Sequence, residues 1–312
     1  MSVFLVCFNS VLPIFVLISV GYVSRLCGVI RSEDVGRMNA VAFRVFLPVM
    51  LFYNVCNSDL STAVKPRLIG FCLVCVFVIY FLCVGYALLF VKDKSKQSVI
   101  IQGMYRSNFI IVGLPVVQSL MGDADLSPVA VLMGIVVPIF NVLAVITLET
   151  FKGNRVKPGK IFLEVVENPL IIGSVLGILF LVLELRLPTP IEAVVRDMSR
   201  VGSPLMLFLL GAFFRFESMA RRWKDLLQVC LGRLVVIPGI FLTLSYYAGF
   251  RGVEFAALLT IFSSSTAVSS FTMAQQMGAD SELAGNIVMA TSVLCSFTLY
   301  MWSVIFMSLG AF

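Results

Sequence analysis

No histidine occurs among the 312 residues, and charged side chains make up only 13% of them. The missing imidazole excludes His-dependent zinc sites, Ser–His and Cys–His nucleophile pairs, and a histidine proton relay. Carboxylates are scarce where they would matter most. No Asp or Glu falls in the middle of a long apolar run, and Glu149, Glu164, Glu167 and Glu184 all lie near the ends of such runs. A buried acid serving as proton carrier therefore has no clear candidate. The expectation is a chain that is not an enzyme and that holds no cofactor and no metal. The first apolar run has neither a basic start nor an A-x-A cleavage site, so it reads as a permanent membrane span and not as a removed leader.

What is present is apolar surface. Hydrophobic residues make up 60% of the chain and the mean hydropathy is +1.03. A soluble domain is about half apolar and a quarter charged, so the expected solvent is lipid. At roughly 30 residues per span and loop, the length allows about ten membrane helices. Apolar segments fall at 4–23, 38–56, 68–91, 98–120, 127–148, 162–184, 195–214, 226–247, 254–276 and 284–308, here called spans 1 to 10. The eight cysteines lie mostly inside these runs and read as small packing residues, including the Cys72-x-x-Cys75 pair of span 3.

The net charge is +6, but in so apolar a chain the position of Lys and Arg matters more than their sum, and nucleic acid is not an expected partner. The loops after odd-numbered spans carry fourteen basic residues and the alternate loops six. By the positive-inside rule the first set is cytoplasmic, which puts both termini outside. The remaining three, Arg44, Arg106 and Arg233, fall within spans.

Sliding the chain against itself by 156 residues aligns Phe43–Phe52 (FRVFLPVMLF) with Ser199–Phe208 (SRVGSPLMLF) at six of ten positions. The same offset pairs Pro13 with Pro169, Gly21 with Gly177, Met121-Gly122 with Met277-Gly278 and Met133 with Met289. The expected fold is an all-α integral membrane protein with residues 1–156 and 157–312 as two five-helix repeats. An odd number of spans per repeat inverts the second half, a recurring construction of secondary transporters whose substrate site lies at the repeat interface.

Such carriers bind at discontinuous helices. In span 4, Gly113 and Pro115 predict a break near mid-span, because proline removes a hydrogen bond and obstructs the carbonyl of Ile111. In span 9, six hydroxyl residues lie between Ser263 and Ser270 and compete for backbone bonds. This predicts an opening near Ser263–Thr266, crossing span 4. Half-helix N-termini after Gly113 and Thr266 would favour an anion, and freed carbonyls such as that of Ile111 would take a cation or a substrate donor. The candidate substrate contacts are Asn108, Gly113, Pro115, Ser264, Ser265 and Thr266. Arg106, roughly 12 Å into span 4 by helix rise, is read either as a substrate charge or as a snorkelling cation. Asn141, Gln275 and Gln276 are secondary polar candidates. Arg44 and Arg233, nearer span ends, are expected to snorkel.

At these residues the sequence resembles the auxin efflux carrier family, which includes bacterial members described as malonate-type transporters. The most specific piece is Arg106-Ser-Asn-Phe with Gly113-Leu-Pro115. Phe46-Leu-Pro48, Asn168-Pro169 with Gly173 and Gly177, Pro204 with Leu210-Gly211, and Ala267 with Ala274-Gln275 and Gly278 support it. The resemblance implies ten helices, outside termini, crossing broken helices 4 and 9, and transport of small organic anions, generally carboxylates. It departs at Ser265 and Thr266, where the family usually has proline. No long hydrophilic loop separates spans 5 and 6, so a compact bacterial member in the inner membrane fits better than a plant hormone exporter.

The leading expectation is a secondary carrier of small organic anions working by alternating access at the crossing of spans 4 and 9. Two alternatives stand beside it. One is a sodium-coupled symporter like the bile acid symporters, with hydroxyls and carbonyls ligating sodium. The other is a non-transporting membrane sensor. Coupling to protons or sodium and assembly as a homodimer stay open on the sequence. So do the substrate and the direction of transport.

Overall fold

A computed structural model describes residues 3–57, 65–122, 124–151 and 163–312. Among them the structure is helical, and the only strand-like feature is one isolated bridge. In chain order the helices are α1 (Val3–Leu26), α2 (Glu33–Cys56), α3 (Pro66–Phe90), α4 (Lys94–Tyr105), α5 (Phe109–Met121) and α6 (Ser127–Thr150). They continue as α7 (Pro169–Val182), α8 (Thr189–Phe213), α9 (Phe216–Arg221), α10 (Trp223–Tyr247), α11 (Gly252–Ser263), α12 (Ser269–Gln276) and α13 (Ser281–Ser308).

Among the described residues, five helices are long and apolar enough to cross a bilayer: α2, α3, residues Pro128–Thr150 of α6, α10 and α13; shorter apolar helices accompany them. Their outward faces are apolar as well. Phe81, Leu88, Leu89 and Phe90 of α3 are all at least 60% exposed. In water such a surface would aggregate; against lipid tails it is the stable one. Cys72 and Cys75 are buried in α3 as packing residues.

Helices in lipid associate by close van der Waals packing, which small residues permit. A Cβ on Gly21 of α1 would lie 1.9 Å from the carbonyl oxygen of Phe208 in α8, and one on Gly211 of α8 would lie 1.9 Å from that of Ile18 in α1. The pairing of α2 with α7 repeats the device. Cβ atoms on Gly173 and Gly177 would meet the carbonyl oxygens of Pro48 at 2.5 Å and Phe52 at 2.9 Å. Backbone contacts backbone in both seams.

Two π-turns interrupt otherwise continuous helices, at Ala42–Phe46 in α2 and Gly232–Val236 in α10. Each lies just before a proline, Pro48 and Pro238. The proline has no N–H for the carbonyl four residues back and crowds it; a wider turn relieves the clash. The carbonyl that Pro238 frees, that of Leu234, accepts instead from Trp302 Nε1 at 2.9 Å.

Candidate functional site

Span 4 is broken, but not where its proline suggested. The helix ends at Tyr105, Arg106 is extended (φ −84°, ψ 121°), and a new helix starts at Phe109 behind Asn108. Gly113 and Pro115 lie inside α5, past the break. A proline removes one hydrogen bond and bends a helix; a full break needs several residues with other partners. Those partners come from span 9. Its first half ends at Ser263, Ser264 is extended (φ −68°, ψ 161°), and its second half starts at Ser269. The hydroxyls of Ser263 and Ser264 turn back onto the carbonyls of Leu259 and Thr260, four residues earlier. This is the competition that lets a hydroxyl-rich stretch open without proline.

The two opened segments pair with each other. Ser107 and Thr266 form an antiparallel bridge. The amide of Asn108 donates to the Ser265 carbonyl at 2.8 Å, and the amide of Ala267 donates to the Arg106 carbonyl at 3.3 Å. Other freed groups are also matched. Thr266 Oγ1 donates to the Gly103 carbonyl at 2.7 Å, while the Thr266 amide donates to Thr291 Oγ1 at 3.2 Å. In a bilayer each unmatched group would cost several kcal/mol, so the crossing is held by mutual satisfaction.

Beside the bridge lies a cavity of about 70 Å³, bounded by α2, the span 4 break, α6, α8 and the span 9 break. Arg106, Ser107 and Asn108 line it from one side, Ala267, Val268 and Ser269 from another, and Asn141 of α6 closes it. Arg106 is 3% exposed, so it does not snorkel. Its guanidinium donates to the side-chain carbonyl of Asn141 and, at 2.8 Å, to Met273 Sδ. Asn141 spends its carbonyl on Arg106, which fixes its amide orientation and leaves Nδ2 a donor with no protein partner. Ser107 Oγ and Asn108 Nδ2 are buried without partners too. Among the described residues no carboxylate lines the cavity, and their ion pairs do not include Arg106. The N-termini of α5 and α12 open at Asn108 and Ser269, each adding roughly half a positive charge. The cavity is a cluster of positive charge and unmatched donors in a largely apolar surround.

The other expected contacts sit elsewhere. Ser264, Ser265 and Thr266 are buried at the crossing but outside the cavity lining. Pro115 is exposed on α5, and Gly113 lies within the same helix. Gln275 accepts from Asn39 Nδ2 of α2 at 2.5 Å, and Gln276 Nε2 donates to the Gly36 carbonyl at 3.5 Å. Both thus tie α12 to α2. Ser107 and Ser269 were hidden by neighbours with stronger signals. Arg44 is exposed, whereas Arg233, expected at a headgroup, is 1% exposed and reaches the crossing. Its guanidinium meets backbone carbonyls there, contacts that span-end position does not reveal.

Residues 6–303 match the family described as membrane transport protein. The chain belongs to this family, the auxin efflux carriers. It is similar to an uncharacterized transporter of Methanothermobacter thermautotrophicus, 24% identical over 95% of this chain and 97% of that one. An uncharacterized transporter of Methanocaldococcus jannaschii is 23% identical over 94% of this chain and 97% of its own length. The family and both relatives are transporters, and the chain is a multi-pass membrane transporter.

Proposed function

We propose that this auxin efflux carrier family member moves small organic anions, carboxylates, across the cytoplasmic membrane, and that they bind in the cavity at the crossing. The observation that carries the reading is the cavity's one-sided chemistry. Arg106 and two helix N-termini supply about two positive charges. Ser107, Asn108 and Asn141 present hydroxyl or amide groups with unmatched donors, and no carboxylate among the described residues offsets them. A carboxylate accepts hydrogen bonds from all of these groups, and a charge-assisted bond to a guanidinium is the strongest of them.

The inverted repeat supplies the means of alternating access. Its support is a pair of exchanged contacts. Gly21 lies under the Phe208 carbonyl and Gly177 under the Phe52 carbonyl, and the 156-residue offset converts one pair into the other. Residues 1–156 and 157–312 are then the two repeats, related by a two-fold axis in the membrane plane, with both termini outside. The amide links between α2 and α12 would part when one bundle rocks against the other.

Counterflow in proteoliposomes with a panel of labelled mono- and dicarboxylates tests the proposal. At least one carboxylate should exchange, and Asn108→Ala should slow it without reducing membrane insertion. Saturable exchange confined to cations or neutral solutes would sink the anion reading. Binding without flux would favour a sensor.

A further inference from the structure

The opposite side of the crossing has the opposite chemistry. There α4 and α11 end, and the last carbonyls of a helix carry roughly half a negative charge. Freed carbonyls converging in a membrane are the usual makings of a cation site. In this chain one side chain takes them. Arg233 Nε donates to the Ser264 carbonyl at 2.8 Å and Nη2 to the Ile261 carbonyl at 2.9 Å. Nη1 lies 3.4 Å from the carbonyl oxygens of both Met104 and Tyr105. Two helix ends of roughly −0.5 each balance one guanidinium, and Arg233 has no acidic partner among the ion pairs of the described residues. Arginine suits the place because its planar fork of five donors can hold several acceptors at fixed angles and does not lose its proton.

We propose that Arg233 is a resident cation that takes the place of a bound metal ion at this crossing, clamping the C-terminal ends of α4 and α11, so that no sodium binds there. Arg233 is on this account a positioning residue: it does not line the substrate cavity, but it fixes the two half-helices whose partners present the anion site. The proposal deepens the carrier reading by removing sodium from the crossing, yet it stands on the carbonyl geometry alone and fails separately from the identity of the substrate.

The test is thermal unfolding of the detergent-purified full chain, read with a thiol-reactive dye, in choline chloride, in sodium chloride, and in choline chloride with low-millimolar guanidinium chloride. The wild type should unfold at one temperature in all three. Arg233→Ala should unfold several degrees lower in choline, and guanidinium or sodium, but not choline, should restore part of the loss. Arg233→Lys, with three donors on a flexible stem, should fall between the two. A sodium-specific rise in the wild type overturns the proposal. So does an alanine variant that neither loses stability nor responds to either cation. Should the alanine variant not fold, the wild-type sodium comparison and the lysine variant decide in the same way.

Discussion

Replacing Gly21 by alanine puts a Cβ 1.9 Å from the Phe208 carbonyl oxygen, 2.8 Å from its carbon and 3.1 Å from the Ala212 nitrogen. All three are backbone atoms, so no rotamer change can make room. Ordinary contact begins at 3.4 Å, which asks α1 and α8 to separate by about 1.5 Å along this seam. A radial gap of about 0.5–1 Å already forfeits a quarter to a half of each contact of about 0.1–0.2 kcal/mol. Added to the strain of a small-to-large change in a tight site, about 1–3 kcal/mol, the expected loss is near 3 kcal/mol. For a chain of this size that is a fall in melting temperature of about 5 °C. Lipid supplies no hydrophobic force to push the helices back together. The same substitution at Gly70 of α3, where a Cβ meets nothing within 4 Å, is the control; there alanine should stabilise the helix by up to about 1 kcal/mol. A thiol-reactive dye is a suitable reporter because Cys72, Cys75, Cys83 and Cys295 are buried until the fold opens. If Gly21→Ala melts together with Gly70→Ala, the close approach of α1 to α8 is wrong, and the argument for packed backbone seams goes with it.

Three further outcomes follow from the crossing and its surroundings. Arg106→Gln removes a charge-assisted bond of about 1.5–3 kcal/mol and should weaken half-saturation for the transported carboxylate roughly 10- to 150-fold, while Ser264→Ala, whose hydroxyl bonds Thr260 away from the cavity, should leave it unchanged; equal effects in counterflow would misplace the site. Thr266→Val strands the Gly103 carbonyl and should cost about 1–3 kcal/mol in a melt, whereas Ser292→Ala, which deletes a buried hydroxyl without a partner, should cost under about 0.5 kcal/mol. Tags at both termini should be reached by an impermeant probe in intact cells; a protected C-terminus beside an accessible N-terminus would contradict an even number of spans and with it the inverted repeat.

The sequence alone determined the solvent, the all-helical class and the family, because each rests on local signals. A 60% apolar chain has only lipid as a compatible surround, and segments of about 20 apolar residues form helices because their backbones must bond internally. The hydroxyl run at Ser263–Ser270 announced the opening of span 9, since each hydroxyl competes with its own backbone. Pro115, the strongest local breaker of span 4, misled: it lies inside α5, and the break is at Arg106–Asn108, where span 9 offers its own amides and carbonyls in exchange. That exchange joins residues 157 to 161 positions apart in sequence, so no local pattern could reveal it. The inward reach of Arg233 was equally out of view, because its partners are carbonyls from two other helices. Tertiary structure alone sorted the polar residues of the crossing into a donor-lined cavity on one side and a carbonyl cluster on the other, since the sign of charge at a half-helix depends on which of its ends points inward.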